Sequence, residues 1–433
     1  MIVFANTITP RLLYILDFIG QHTIGKPLVA TNDTEKFRQF DGAKINYSAE
    51  RITSSEFIIH NSALLTETGI RNQLIECFET RNYKAFFKTG GDFPFDMFAA
   101  TFYLLSRYEE YLSHEKDLYG RYAHENSLAF KEGFLPSPLI NIWVEDFKKA
   151  LNAKFPSLIA HHSSFTFIPT YDIDEAYAYG YKQWWRTAGG IFKSMVDGKW
   201  SMVSERLGVL QGRQKDPYDS FEWMNQLHDR YNSKPYYFFL VATKTGRYDK
   251  NILPSKKEMQ RLIQVHSTRY TIGIHPSWQS GDDIDKLRFE ILKLGHISGQ
   301  RIACSRQHYI RFTLPQTYRQ LIELGIESEF SMGYGSINGF RASVASPFYW
   351  YDLEKESQTK LLLYPFCFME ANSFFEQKFS TEQTFEELMR YYNVVKSVNG
   401  TLITIWHNSF LGTSKIFEGW REMYKRFFAS IKS

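Results

Sequence analysis

The chain has 433 residues, more than one ordinary hydrophobic core accommodates, so its length predicts two domains. Its 51 basic and 47 acidic residues nearly balance and no block of Lys or Arg stands out, which argues against a nucleic-acid partner. We expect a cytoplasmic enzyme, because the N-terminus does not look like a signal peptide and no apolar run is long enough to span a membrane. The sequence leaves the oligomeric state open.

Residues 1–150 are predicted to form a small α/β domain. Its clearest element is a helix over 95–112, whose apolar side chains recur at the spacing of one buried stripe. The Pro-containing segment 136–138 and the polar segment 153–164 are the expected linkers.

From residue 165 onward, strand patterns alternate with helix patterns. The predicted helices include one that starts with a capping box of Ser380 and Gln383 and ends at Gly400. Repeated strand-then-helix units indicate a parallel sheet, and their number favours a (β/α) barrel over 165–433, irregular and with seven or eight strands. Strands are predicted at 165–172, 235–243, 270–275, 301–305, 361–368 and 401–407, and helices at 218–231, 255–267, 282–299, 314–325 and 380–400.

Five polar side chains fall at or just beyond the ends of predicted strands. In a parallel barrel those strand ends converge on one face, where active sites lie. A carboxylate with two neutral imidazoles suits a zinc-like divalent ion that keeps one position open for water, so the set indicates metal-assisted hydrolysis. The five residues are Asp172, Asp174, His275, His308 and His407.

Four segments resemble, in order, the motifs of the polysaccharide deacetylase family, the carbohydrate esterases related to chitin and peptidoglycan deacetylases. The segment DFPFDMFAATFYLLSRYEEYL resembles the uncharacterised domain that precedes such deacetylase-like domains in Bacteroidetes-type proteins. The four motif-like segments are TYDIDE (170–175), IHPSWQS (274–280), FRASVASPF (340–348) and ITIWHN (403–408).

This resemblance implies a role for each matching residue. Asp172 would be the general base, and Asp174 and His275 would be metal ligands. Arg341 would hold the base, and His407 would be the general acid. An N-acetylated glycan would be the substrate.

The sequence also departs from the family pattern. The family's second metal-binding His lies four residues after the first, where this chain has Gln279, a poor ligand for a zinc-like ion. We therefore take His308, which ends the next predicted strand, as the substitute ligand. Arg341 is followed by Ala-Ser and not by the family's Pro-Tyr, which leaves the sugar contacts there open.

Aromatic rings complement the C–H face of a sugar, although each ring taken alone is more often part of the core. The rings expected to contact substrate are Trp278, Trp406 and Tyr309, and further candidates for the wall of a sugar cleft are Trp184, Trp185 and Trp350.

Each site residue also has a structural alternative. The aspartate pair could cap a helix, and His407 could be a core histidine. His308 could belong to a polar cluster with nearby arginines. Glu327 and Glu329 could be site carboxylates or solvent-facing, and we favour the latter for Glu329.

The function predicted from these features is a metal-dependent hydrolase that removes an N-acetyl group from a cell-surface polysaccharide or its precursor. Two alternatives stay open at this point. One is a non-catalytic carbohydrate-binding relative, suggested by Gln279. The other is a related barrel hydrolase of another amide or ester.

Overall fold

The computed structural model describes residues 1–158, 163–182 and 200–432. The N-terminal part contains a four-stranded parallel sheet in the order β2-β1-β3-β4 and an antiparallel hairpin, β5-β6. Its strands are β1 (Ile2–Phe4), β2 (Val29–Thr31), β3 (Lys44–Asn46), β4 (Phe57–Ile58), β5 (Phe78–Thr80) and β6 (Tyr83–Ala85). Its α-helices span Pro10–Ile24, Thr34–Gln39, Met97–Leu105, Leu128–Lys131 and Leu139–Lys154.

The first helix has clear local reasons for both of its ends. The Thr9 side chain accepts a hydrogen bond of 3.1 Å from the Leu12 amide, and Pro10 occupies the first turn, where a missing N–H costs nothing. Gly25 ends the helix in the left-handed conformation, with a φ of 71°.

The rest of the chain contains a nine-stranded sheet with helices between its strands, and the strand order is β12-β13-β11-β10-β9-β8-β7-β15-β14. Only β12 is antiparallel to its neighbour; the other eight strands are parallel, which confirms the predicted parallel α/β architecture. Among the described residues no strand pair joins β12 to β14, so a closed barrel is not what the pairing shows. The strands are β7 (Thr166–Ile173), β8 (Tyr236–Leu240), β9 (Thr271–His275), β10 (Cys304–Ser305), β11 (Ser328–Glu329), β12 (Phe348–Asp352), β13 (Ser357–Leu363), β14 (Phe368–Met369) and β15 (Thr401–His407).

The helices of this part agree with the predicted alternation. The capping box at the start of Thr381–Ser397 is confirmed: the Gln383 amide donates to Ser380 Oγ at 3.3 Å, and the Ser380 amide donates to Gln383 Oε1 at 2.9 Å. The predicted end at Gly400 is wrong, because the helix ends at Ser397 and Asn399 then adopts the left-handed conformation with a φ of 50°. The helices are Trp200–Leu210, Phe221–Tyr231, Lys257–Ser267, Ile284–Ser298, Gln316–Glu323, Thr381–Ser397 and Trp420–Lys432.

The segment 361–368 forms two strands and not the single predicted one. Leu361–Leu363 ends β13, which pairs with β11 and β12, whereas Phe368 begins β14, which pairs with β15 at the other end of the sheet. Pro365 lies between them, and a proline has no N–H with which to continue a ladder.

The predicted helix over 95–112 is shorter and more deeply buried than expected. It spans Met97–Leu105, and after a left-handed residue at Arg107 the chain continues as a 3₁₀ turn. All nine residues of the helix are buried. The helix has no solvent-facing side because it packs against both the helix Pro10–Ile24 and strand β12.

One hydrophobic core extends from Val3 near the N-terminus to Phe428 in the last helix. Hydrogen bonds also link the early and late segments: the Asn141 side chain accepts from the Ala345 amide at 2.8 Å and donates to Ser346 Oγ at 2.9 Å. The division into domains of 1–150 and 165–433 stays a prediction. In the described part of the chain, no helix is both long enough and apolar enough to cross a membrane.

Candidate metal centre

Strand register places several polar side chains at the same edge of the large sheet. Asp172 on β7 lies opposite Phe238 on β8 and opposite His407 on β15. His275 is the last residue of β9 and lies opposite Leu240, the last residue of β8. Because these parallel strands end together, their terminal side chains share one face.

Asp174, which follows β7, is the residue on which three imidazoles converge. Its Oδ1 lies 2.9 Å from His275 Nε2, and its Oδ2 lies 3.4 Å from both His308 Nε2 and His407 Nε2. One ligand atom from each of Asp174, His275 and His308 lies within 4.8 Å of the others, and we call these three residues the candidate metal centre.

The far nitrogens of the two histidines in the candidate metal centre are both held by acceptors. His275 Nδ1 lies 2.6 Å from the carbonyl oxygen of Arg306, and His308 Nδ1 lies 3.3 Å from Asp249 Oδ1. Because a carbonyl and a carboxylate can only accept, each Nδ1 carries a hydrogen. Each Nε2 faces Asp174, where a neutral imidazole would offer its lone pair to a cation. This is the outer-shell arrangement that orients metal-binding histidines.

These residues fit a divalent cation. A carboxylate with two imidazoles is a suitable ligand set for a zinc-like ion. Asp174 Oδ1 is buried and, among the described residues, makes no hydrogen bond, although it lies close to His275; a bound cation would satisfy it. The centre opens to solvent on one side, because the Asp174 side chain is 30% exposed whereas those of His275 and His308 are only 2% and 4% exposed.

The carboxylates in and around the candidate metal centre stabilise positive charge on the neighbouring imidazoles. Burial by itself raises the pKa of Asp174, but His308 and His275 outweigh it and hold that pKa well below its usual value. Burial lowers the pKa of His308, yet Asp174 raises it to about 9. Burial also lowers the pKa of His407, and Glu370 and Asp174 together raise it well above its usual value.

His407 is oriented by a carboxylate that the sequence analysis missed. Glu370, directly after β14, is fully buried, and its Oε1 accepts from His407 Nδ1 at 2.7 Å and from the His407 amide at 2.6 Å. The imidazole therefore presents Nε2 to the site. The signal was available, because Glu370 lies two residues beyond a predicted strand end.

The base position is supported by a different arginine from the one expected. Arg306 Nη1 donates to Asp172 Oδ1 at 3.0 Å and to Thr170 Oγ1 at 2.5 Å. The expectation that Arg341 holds Asp172 is wrong, because the Arg341 guanidinium donates instead to Glu110 at 2.8 and 2.6 Å. Both arginines are buried, so each guanidinium is committed to the carboxylate that packing places beside it.

Gln279 lies behind the candidate metal centre. Its Nε2 donates to Asp249 Oδ2 at 3.1 Å and to the Lys244 carbonyl at 3.3 Å. Gln279 therefore contacts the carboxylate that holds His308, and His308, not Gln279, belongs to the candidate metal centre. Asp249 lies in a loop without a strand-end signal, so the sequence pattern offered no means of finding it.

The structure separates the aromatic candidates. Tyr309 lies beside the candidate metal centre, with its ring centroid 4.6 Å from that of His308. Trp278 stacks on Tyr248 at 4.0 Å. The prediction that Trp406 contacts substrate is wrong, because its side chain is fully buried against Tyr424. Trp350 is 1% exposed and also belongs to the core, and Trp184 and Trp185 lie outside the described residues.

Glu329 is buried, so the favoured prediction that it faces solvent is wrong. Its strand, β11, lies inside the sheet between β10 and β13, where both faces are covered. It accepts from the Ser331 amide at 2.8 Å and from the Tyr318 hydroxyl at 3.1 Å, and burial raises its pKa to about 7. Glu327 is exposed and pairs with Arg301 at 2.7 Å.

Comparison with known proteins gives partial matches. Residues 1–156 match the model of DUF7033, a family of unknown function. The search of curated protein sequences gives no match.

Solved structures similar to this chain include proteins described as polysaccharide deacetylases from Mycobacterium smegmatis (12% identity, TM-score 0.40) and Pseudomonas aeruginosa PAO1 (14% identity, TM-score 0.40). A PuuE allantoinase is similar at 12% identity and a TM-score of 0.41. These alignments cover 62–63% of this chain and 85% of each matched chain. Because this structural similarity is low, we infer the chemistry of the site from its own geometry and not from these proteins.

Proposed function

We propose that this protein is a metal-dependent hydrolase that removes an N-acetyl group from a glycan. The observation that carries the proposal is the convergence of three imidazole Nε2 atoms on the Asp174 carboxylate, within 2.9 to 3.4 Å. The order of the deacetylase-like motifs in the sequence supports the glycan substrate.

Each residue of the site has a separate role in the proposed reaction. A divalent cation bound at the centre would supply Lewis-acid activation of a water molecule and of the acyl carbonyl. Asp172 accepts the water's proton at Oδ2, the oxygen not bonded to Arg306. His407 donates its Nε2 proton to the departing nitrogen, and Glu370 holds its Nδ1. The products are a carboxylate and a free amine.

Metal content and acetate release test this proposal on the purified full chain. We expect about one zinc-like ion per chain and acetate release from N-acetylhexosamine oligomers. His275→Ala and His308→Ala should lose the ion, because each removes a ligand nitrogen. Asp172→Asn should keep the ion and lose acetate release, because it removes only the base.

His296→Ala is the matched control, since this histidine is exposed on the helix Ile284–Ser298 and should change neither reading. A chain that binds no metal and releases no acetate would contradict the proposal. Glycan binding without metal would instead favour the non-catalytic alternative. Release only from O-acetylated or other amide substrates would favour a related hydrolase.

A further inference from the structure

The turn that carries His308 has an unfavourable backbone. Tyr309 and Ile310, the two residues that follow, both adopt positive φ values, 59° and 55°. This region is costly for any residue with a Cβ, and most of all for a β-branched one such as Ile310. A conformation of this kind persists only where surrounding contacts impose it.

Two contacts from the N-terminal part of the chain hold this turn, beside the ring contacts that Tyr309 makes with Tyr248 and Trp278. Arg121 Nη1 donates to the Tyr309 carbonyl at 2.8 Å, across a sequence separation of 188 residues. The Tyr119 ring stacks on the Tyr309 ring, with centroids 5.2 Å apart and planes 28° apart. We call residues 117–121 the 117–121 turn.

The 117–121 turn is itself internally fixed. Asp117 Oδ2 accepts from Arg121 Nε at 2.5 Å, and Asp117 Oδ1 accepts from the Tyr119 and Arg121 amides at 2.9 and 3.0 Å. The Arg121 guanidinium also lies over the Tyr119 ring, 4.8 Å from its centroid. Arg121 is only 6% exposed, so its direction is set by packing.

Gly335 provides the space through which Arg121 reaches Tyr309. A Cβ at this position would lie 2.0 Å from Arg121 Nη1 and 3.0 Å from the Tyr309 carbonyl oxygen. A glycine is therefore required for Arg121 to make its hydrogen bond. This accounts for one glycine of the GYGS segment (333–336).

We propose that the 117–121 turn positions His308 as a metal ligand, so that the N-terminal part completes the candidate metal centre. Arg121 and Tyr119 are positioning residues: they hold Tyr309, which directs the neighbouring His308 toward Asp174. The inference depends on the proposed metal site. It gives a role to the region that matches a family of unknown function.

Metal affinity tests the proposal without measuring activity. Zinc binding is measured by competition with a chelator, and cobalt is substituted to report ligand geometry through its absorption spectrum. We expect Arg121→Ala and Tyr119→Ala to weaken zinc binding by roughly 10- to 100-fold, as loss of an outer-shell support does, and to alter the cobalt spectrum. Tyr119→Phe keeps the stacking ring and should bind zinc like the wild type.

Arg11→Ala is the matched control. Arg11 is an equally buried arginine of the N-terminal part that pairs with Glu356 of the later part, and it does not touch the His308 turn. We expect Arg11→Ala to lower the melting temperature without changing zinc affinity. A purely structural role of Arg121 would give the same pattern as Arg11.

Gly335→Ala gives an independent measurement. We expect it to weaken zinc binding as Arg121→Ala does, because the new Cβ displaces the guanidinium. The double variant should be no weaker than either single variant, because both changes remove the same contact. Should Arg121→Ala fail to fold, Tyr119→Ala and Gly335→Ala decide the question.

Two results overturn the inference. A folded Arg121→Ala or Tyr119→Ala chain with wild-type zinc affinity and cobalt spectrum would refute the positioning role while leaving the metal site intact. A wild-type chain that binds no metal would refute the metal site and, with it, this role.

Discussion

The buried acceptors behind each histidine decide which nitrogen faces Asp174. His275 is held by a backbone carbonyl, whereas His308 and His407 are held by Asp249 and Glu370. A charged acceptor stabilises the imidazolium more strongly than a carbonyl does. His407, the group placed to donate a proton, is thus backed by a buried carboxylate, Glu370, as His308 is by Asp249.

Glu370→Gln is expected to lower kcat roughly 10- to 100-fold, because the amide still orients His407 but no longer supplies negative charge. The metal content should be unchanged, because Glu370 forms its hydrogen bonds with His407. His407 is not one of the three residues of the candidate metal centre. Steady-state acetate release and metal analysis measure the two effects.

Glu329→Gln is the control for that variant. Glu329 is an equally buried carboxylate at a strand end, but it bonds to Ser331 and Tyr318 and not to a histidine. Its kcat should stay within a few-fold of the wild type. If Glu370→Gln keeps full kcat, the positioning role assigned to Glu370 is wrong.

A buried cluster of ion pairs links two elements, the 3₁₀ turn Tyr108–Tyr111 and the segment around Arg341. Glu110 receives hydrogen bonds from Arg341 at 2.6 and 2.8 Å and from Arg107 Nε at 2.7 Å. Burial by itself raises the pKa of Glu110, but the two guanidiniums outweigh it and lower that pKa to about 2.

Glu110→Gln should lower the free energy of unfolding by about 3–5 kcal/mol, because two buried guanidiniums lose the carboxylate that compensates them. Urea unfolding of the wild type and the variant measures the difference. Glu323→Gln removes a charge from the exposed pair with Arg288 and should cost at most about 1 kcal/mol. Equal losses in the two variants would show that the buried cluster contributes no more than a surface pair.

Over the whole molecule, buried neutral histidines couple stability to pH. His266 is 1% exposed, and in the part of the chain that the structure describes its Nε2 has no hydrogen-bond partner. Burial lowers the pKa of His266 to about 4, below the value of about 6.5 for an exposed histidine. The unfolded chain therefore binds this proton first as the pH falls, and stability decreases between about pH 6.5 and pH 4.

His266→Gln should make this part of the pH profile shallower, by up to about 1.4 kcal/mol per pH unit, because one titrating group is removed. The measurement is the free energy of unfolding of wild type and variant at several pH values in this window. His296→Gln, which replaces an exposed histidine, is the control variant measured in the same way. Parallel profiles for wild type and His266→Gln would contradict the assignment.

Residue patterns alone were enough to predict the alternation of strands and helices and the approach of Asp174, His275 and His308. Apolar periodicity reports the local element, and a parallel sheet brings the ends of its strands to one edge. Glu370 could have been predicted in the same way, because it lies two residues beyond a predicted strand end.

The hydrogen-bond and packing partners of the site residues, in contrast, depend on how distant segments fold together. Arg306 and not Arg341 holds Asp172, Trp406 is core, and Arg121 reaches Tyr309 from 188 residues away. Local pattern carries no information about such pairs, because buried charges and rings acquire their partners only when distant segments pack together.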